Sequence, residues 1–388
     1  MKNRPIILFA CLYGIVMPFG MDLYIAALPN MAETLKITSG TASSLSFYML
    51  LGVSSSILFY GPLSDKIGRK PILLYSLLIA AFGCLLSAIT NNIVLLILSR
   101  IITGIGSGGA PVIARTMLSD KIHDPIQFTQ GLSWYAMASS LSPALAPVIG
   151  GFIFVLMGWR ANFVFLAIFN LIIFGLSYLY LPETISQKTV VSYKNTLINY
   201  IKLLKDKSFL IYAIAAGLIW SFNLLYYAVS PFLYQHYFKF TALSNSFLYW
   251  ISAACIMLGT GALQRLIMRV SRQKILYHNS ILFFIISLSI LIFAIFHLKS
   301  AALFLALICL SAFIYGILSP GFMSASLSKF HDCIGTASSL QAFFRVAITA
   351  IIGIIVTLMH EVTILAFAVT LVIIATIIFI LILIEKFW

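Results

Sequence analysis

The chain has 388 residues, of which 62% are hydrophobic and only 9% charged, a balance far from the roughly 25% charged residues of soluble globular domains. A soluble enzyme or binding domain is excluded as the bulk of the chain, and a polytopic membrane protein is predicted. The formal charge of +14 suggests nucleic acid at first, but the basic residues are scattered singly and in short loops instead of forming one face.

Apolar runs of about 18 residues or more read as membrane spans. Twelve are predicted, near residues 6–28, 42–61, 71–90, 94–117, 129–157, 162–181, 208–235, 244–268, 275–296, 300–325, 335–358 and 362–384. With the N-terminus inside, the inner segments hold eighteen of the 24 Lys and Arg residues. The outer segments hold Lys36, Arg160, Lys239 and Lys299, and Arg100 and Arg345 lie within spans. That bias puts both termini in the cytoplasm. The first run is long, contains Pro18 and Asp22 and leads straight into further spans, so it reads as a retained helix and not as a cleaved secretory signal. The cysteines and histidines show no paired or metal-like spacing, so no metal and no cofactor are expected.

In the first span, MDLYIAALP carries Asp22, the only acid placed deep within an apolar run. A carboxylate there costs about 2.5 to 3.5 kcal/mol on insertion scales and usually faces a cavity or a partner, which makes Asp22 a proton-carrier candidate. The bland alternative is a hydrated side chain at the outer interface. Between the second and third runs, GPLSDKIGRK at residues 61–70 crowds four ionisable groups into what reads as a tight turn at one membrane surface. Its functional set is Gly61, Asp65, Gly68, Arg69 and Lys70; the alternative is an ordinary basic turn that only orients the protein.

Arg100 stands in ILSRIITGIGSGGA, where Gly104 and Gly108 share its helix face at spacing four and admit a close neighbour. That spacing points the guanidinium inward; the alternatives are a structural pair and an arginine snorkelling to the surface. In the fifth span SPALAPVIGG contains Pro143, Pro147, Gly150 and Gly151, and proline in a membrane helix is tolerated where neighbours re-satisfy the backbone.

Residues 182–207, PETISQKTVVSYKNTLINYIKLLKDK, are the longest hydrophilic stretch and divide the chain into lobes 1–181 and 208–388. Part of this linker has helical apolar spacing with lysines opposite, suiting a helix on the cytoplasmic leaflet. LYIAALP at 23–29 returns as LYYAVSP at 225–231, and Arg69, Ile72 and Leu73 return as Arg272, Ile275 and Leu276, with Met268 in place of Asp65. Repeated halves favour substrate sites near the membrane midplane. Tyr24, Trp220, Asn223, Tyr226, Tyr227, Gln341 and Arg345 form the candidate substrate cavity, with Arg345 read evenly as a substrate or gate residue or as a half-buried structural charge.

GPLSDKIGRK resembles the signature loop of the major facilitator superfamily, in which Asp65 and Arg69 would form a charge network at the cytoplasmic helix ends. The Arg100 segment resembles that family's fourth-span motif, in which the arginine lies near the proton site, and this resemblance implies that Arg100 pairs with Asp22 across the first and fourth spans as the second proton-coupling residue. SPALAPVIGG resembles its antiporter motif, with Ala146 where glycine is usual. MDLYIAALP, GTASSLQAFFR at 335–345, WRANFVF from Trp159 and PET at Pro182 are similar to the bicyclomycin- and chloramphenicol-resistance (Bcr/CflA) branch of drug:proton antiporters. Ala26 and Ser56-Ile57 depart from that branch where the cavity could be lined. The resemblance implies an all-α membrane protein, twelve transmembrane helices in two pseudo-symmetric six-helix lobes, in the bacterial inner membrane. It implies a proton-coupled exporter of small amphipathic compounds or drugs, driven by the proton gradient. Its partners would be substrate, protons and lipid bilayer, with no nucleic acid and no obligate protein. The alternatives are a metabolite or siderophore transporter on the same scaffold, including one running inward, and, more remotely, a membrane receptor or enzyme.

Overall fold

The computed structural model describes residues 4–122, 124–185, 193–330, 334–357 and 363–386, all in helices and short connections. In chain order the helices are α1 (Arg4–Asp22), α2 (Leu28–Leu35), α3 (Ser39–Ile67), α4 (Arg69–Ile89), α5 (Ile93–Ser107), α6 (Gly109–Lys121), α7 (Pro125–Met157) and α8 (Trp159–Tyr180). There follow α9 (Tyr193–Lys205), α10 (Lys207–Phe232), α11 (Ala242–Leu266), α12 (Arg272–Ile295), α13 (Ala301–Leu327), α14 (Ile334–Thr357) and α15 (Ile364–Lys386). Among the described residues, 11 helical segments are long and apolar enough to cross a membrane. The predicted fifth span falls on α7, a helix of 33 residues. Lys2, Lys188 and Cys333, and linker residues 186–192, lie outside the described residues.

Among the described residues, two spans are each built from two α-helices. The first extends from Pro5 to Leu35 but breaks after Asp22, where a 3-10 turn, Ile25–Ala27, joins α1 to α2. Pro29 has no N–H, and in a continuous helix its ring would meet the carbonyl of Ile25, so the break removes a clash. The fourth span passes from α5 to α6 at Gly108.

The ten residues 61–70 are not the tight turn expected from their composition. Helix α3 continues through Pro62 to Ile67, and only Gly68, at φ 127°, separates it from α4. Ser64 Oγ bonds the Gly61 carbonyl at 2.8 Å and Gly68 N bonds the Ser64 carbonyl at 3.0 Å, so the helix survives its proline. Polar residues read as loop here because a helix leaving the hydrocarbon region carries charge on its exposed end.

By internal contacts the chain forms two compact units, Met1–Ile37 with Leu45–Tyr193, and Thr38–Ser44 with Lys194–Trp388. In the first, glycines set helix spacing: a side chain at Gly104 would strike the Met49 carbonyl and Val53 N of α3, and one at Gly106 the Ala80 N of α4. In the second, Gly259 and Gly316 do the same between α11 and α13. Helix α9 buries Leu203 against Phe209, Phe330 and Leu340 while Ile198, Ile201 and Leu204 stay exposed, the amphipathic division expected of the linker.

Candidate functional site

Asp22 is the last residue of α1, 4% exposed, at the break in the first span. Its Oδ1 has no hydrogen-bond partner among the described residues. Arg100, on α5, is fully buried. Its Nη2 donates to the Gly20 carbonyl at 2.5 Å and contacts Met49 Sδ at 2.7 Å. Its guanidinium lies 4.7 Å from the Tyr24 ring and 5.4 Å from the Phe163 ring, contacts worth about 2 kcal/mol when desolvated. No ion pair joins Arg100 to Asp22 among the described residues, and Arg100 Nε and Nη1 are unpartnered. The arginine is thus anchored two residues before the carboxyl, with donors in reserve. Gly20, Met49 and Phe163 escape sequence reasoning, because a carbonyl contact and a ring face leave no pattern.

Tyr24, a predicted cavity residue, is instead fully enclosed: its hydroxyl pairs with Ser46 Oγ at 2.9 Å and its ring meets Phe163 at 5.0 Å. On α7, Pro147, Gly150 and Gly151 are buried, and α7 stays helical through Pro143 and Pro147. Gly150 lies against the Leu23 carbonyl, where any side chain would collide. One glycine of the antiporter-like stretch therefore seats α7 on the residue after Asp22.

The signature residues lie at the other end of α4's neighbourhood and form a network. Arg69, 6% exposed, pairs with Asp65 and places Nε 3.0 Å from Asp120 Oδ2, while Nη1 bonds Ser64 Oγ at 2.6 Å. Glu183 accepts from the backbone N–H groups of Arg69 at 3.0 Å and Lys70 at 3.2 Å, capping the N-terminus of α4, where a carboxylate is favoured by the unsatisfied donors and the helix dipole. Lys70 Nζ reaches the Tyr178 carbonyl at 2.9 Å, and Thr184 Oγ1 bonds Asp120 Oδ2 at 3.2 Å. A side chain at Gly68 would sit 2.6 Å from Glu183 Oε2, whereas one at Gly61 meets open space. Asp120 and Glu183 were not singled out from sequence. The signal was present: the chain has only ten Asp and Glu residues, and these two end or follow apolar runs on the strongly basic side.

In the second unit Trp220 and Asn223 are half-buried and Arg345 lies 4.8 Å over the Trp220 ring. Gln341, one turn before Arg345 on α14, is buried with Nε2 unpartnered among the described residues. Tyr226 and Tyr227 are buried in an aromatic group with Tyr249, at 6.3 and 5.0 Å. Tyr249 also bonds Ser230 at 2.9 Å and Asn245 at 3.2 Å, partners that the sequence did not suggest. The seven cavity candidates therefore include three enclosed tyrosines and one Trp–Arg stack.

Broken and glycine-seated spans, a buried acid two residues after the carbonyl that holds a buried arginine, and a carboxylate-locked helix junction suit a membrane transporter. The sequence matches the Major Facilitator Superfamily over residues 10–354, and the chain belongs to that family; it is a multi-pass membrane transporter and not an enzyme. It is 28% identical over 350 residues to multidrug resistance protein MdtL of Shewanella sp. (strain ANA-3), covering 88% of this chain and 86% of that one. It is 23% identical over 347 residues to a bicyclomycin resistance protein homolog of Haemophilus influenzae, covering 88% and 86%. Multidrug resistance protein D of Escherichia coli (strain K12) is 33% identical over 167 residues, 43% of this chain and 42% of that one. The crystal structure of a D-xylose-proton symporter superposes with a TM-score of 0.76 over 97% of each chain at 14% identity, a likeness of fold alone.

Proposed function

We propose that this protein exports small amphipathic compounds or drugs across the bacterial inner membrane in exchange for protons, by alternating access. In this reading twelve helices form two six-helix lobes, 1–181 and 208–388, joined by the basic linker 182–207, with both termini cytoplasmic. The multidrug- and bicyclomycin-resistance relatives support drug export, and the basic-residue bias supports the orientation. Energy comes from the proton gradient, without a bound cofactor or an obligate protein partner.

One observation carries the coupling: Asp22 is a buried acid at a helix break whose Oδ1 has no partner among the described residues, two residues after the Gly20 carbonyl that holds Arg100. Such an intramembrane acid marks a proton or substrate path by default. When Asp22 is ionised, the spare donors of Arg100 stabilise the carboxylate; when it is protonated, that attraction weakens and the arginine stays on Gly20. Substrate would meet Trp220, Asn223, Gln341 and Arg345, with the enclosed Tyr24, Tyr226 and Tyr227 exposed only in another state of the cycle.

The test is substrate-evoked proton movement in vesicles containing the reconstituted chain under an imposed pH gradient, with ethidium and a wider compound panel as probes. Asp22→Asn abolishes uphill export and preserves downhill exchange, because the amide keeps the shape but cannot trade a proton. Arg100→Lys also impairs uphill export, since a point charge does not reproduce the planar fork. Wild-type proton stoichiometry in the asparagine variant would place the carrier elsewhere, and inward accumulation of the panel would reverse the direction.

A further inference from the structure

Helix α8 begins with the WRANFVF stretch and carries buried polar groups that the coupling pair does not use. Asn162 is fully buried, and neither its Oδ1 nor its Nδ2 has a partner among the described residues. Trp159, three residues earlier and on the same face, is 3% exposed with Nε1 likewise unpartnered. Leaving a buried polar group unpaired is costly, and buried water is what usually satisfies such groups.

Their position matters. Phe163, next in the chain to Asn162, is the ring that lies 5.4 Å from the Arg100 guanidinium and 5.0 Å from Tyr24. Trp159 meets the same ring edge-on at 6.0 Å. Among the described residues Trp159 Nε1, both polar atoms of Asn162 and two nitrogens of Arg100 are thus orphaned on residues that touch the Phe163 ring or adjoin it in the chain, and Arg100 is held by the Gly20 carbonyl two residues before Asp22, whose Oδ1 is orphaned as well. The α8 end of this group reaches the surface: Arg160 stacks on Trp159 at 4.1 Å and bonds Asn91 in the exposed α4–α5 connection. The length of α4, 21 residues, or about 30 Å at 1.5 Å per residue, separates that connection from the Arg69 network. This surface is therefore the membrane face opposite the network, the outer one in the orientation proposed above.

We propose that Trp159 and Asn162 hold bound water just inside the outer face, and that this water carries protons between that face and the Arg100–Asp22 pair. The inference rests on the assignment of proton carriage to Asp22. Indole N–H and amide N–H donate to water oxygen, and the amide oxygen accepts a water hydrogen. A water so held takes one proton from the outside and passes one to the Asp22 carboxylate, so the net change is one proton on the carboxyl. Asn162 acts as a positioning residue, through water.

Infrared difference spectroscopy on the reconstituted full chain reads this without a substrate. The carbonyl stretch of protonated Asp22 is assigned by its loss in Asp22→Asn, and its exchange in D2O is timed. Asn162→Leu removes an orphaned amide at similar volume, so a merely structural asparagine predicts equal or higher thermal stability and unchanged exchange. A water path predicts exchange slowed about tenfold or more, with most of the rate restored in Asn162→Ser. Trp159→Phe keeps a ring beneath Arg160 but loses the N–H, and slows exchange by a smaller factor. Wild-type exchange in a folded Asn162→Leu, or in Trp159→Phe where the leucine variant does not fold, overturns the proposal. Absence of any titrating Asp22 band in the wild-type protein overturns the proton assignment itself, and this inference with it.

Discussion

The α3–α4 and α11–α12 connections share a sequence pattern and hold their arginines in opposite ways. Arg69 is 6% exposed, paired with Asp65 and Asp120, with Glu183 on the backbone beneath it. Arg272, its counterpart, is half-buried and meets neutral groups, the Ser324 carbonyl at 3.4 Å and Ser328 Oγ at 3.2 Å. The missing acid is only part of the difference. Gly68, at φ 127°, lets α4 start directly after α3 ends, so Asp65 and Arg69 stay one turn apart. In the copy Ser271 has φ −60°, α11 ends at Leu266, and Met268 is 78% exposed beyond it. Backbone geometry and charge must agree before a network forms.

The largest effect that distinguishes the two connections is Arg69→Ala. It strands two carboxylates and destabilises the protein by about 2 to 3 kcal/mol, below the value for a fully buried pair because Asp65 and Asp120 keep 27% and 21% of their side chains exposed. Arg272→Ala loses under about 1 kcal/mol. Parallel thermal unfolding in one detergent compares them, and equal losses would erase the distinction. Because the network joins helix ends remote from Asp22, Arg69→Ala also lowers turnover more than substrate affinity.

Much of this was legible in the sequence, and the reason varies by residue. Asp22 and Arg100 stand out because a charge in an apolar run is costly wherever its partner lies. Their actual contacts, a glycine carbonyl and the rings of Tyr24 and Phe163, depend on three-dimensional packing that spacing does not encode. Asp65 and Arg69 were readable at four-residue spacing, but Asp120 and Glu183 come from α6 and the end of the sixth span, 51 and 114 residues from Arg69. Gly150 was singled out as part of SPALAPVIGG; that the Leu23 carbonyl packs against it was not legible. The break after Asp22 was missed because LYIAALP is apolar throughout, whereas its repeat LYYAVSP continues unbroken in α10 and turns irregular only at the π-helical Leu233–Tyr237.

The glycines give an intermediate effect. Gly68→Ala forces a left-handed residue to carry a side chain against Glu183, and costs about 1 to 3 kcal/mol. Ser271→Ala changes almost nothing, because Ser271 makes no side-chain cap bond. Gly61→Ala, where the added carbon meets open space within α3, is neutral or stabilising by up to about 1 kcal/mol. Equal damage from Gly61→Ala and Gly68→Ala would show that composition matters there and not backbone geometry.

The smallest effect sharpens the comparison most. Met268→Asp restores the sequence spacing of Asp65 and Arg69 relative to Arg272, so a rule based on charge alone predicts a repaired network. Residue 268 lies beyond α11, which ends at Leu266, and is 78% exposed. The helical geometry that brings residues four apart together is absent, and a hydrated carboxylate gains under about 0.5 kcal/mol from a neighbouring arginine. Met268→Asp alone should therefore leave the unfolding midpoint almost unchanged. Combined with Ser271→Gly, which permits the backbone of Gly68, it should show a favourable coupling of about 0.5 kcal/mol beyond the sum of the single changes. The double-mutant cycle in denaturant measures that term directly. A single Met268→Asp that stabilises by more than about 1 kcal/mol would mean that the acid was the only thing the second connection lacked, and that Gly68 does not determine how Arg69 is held.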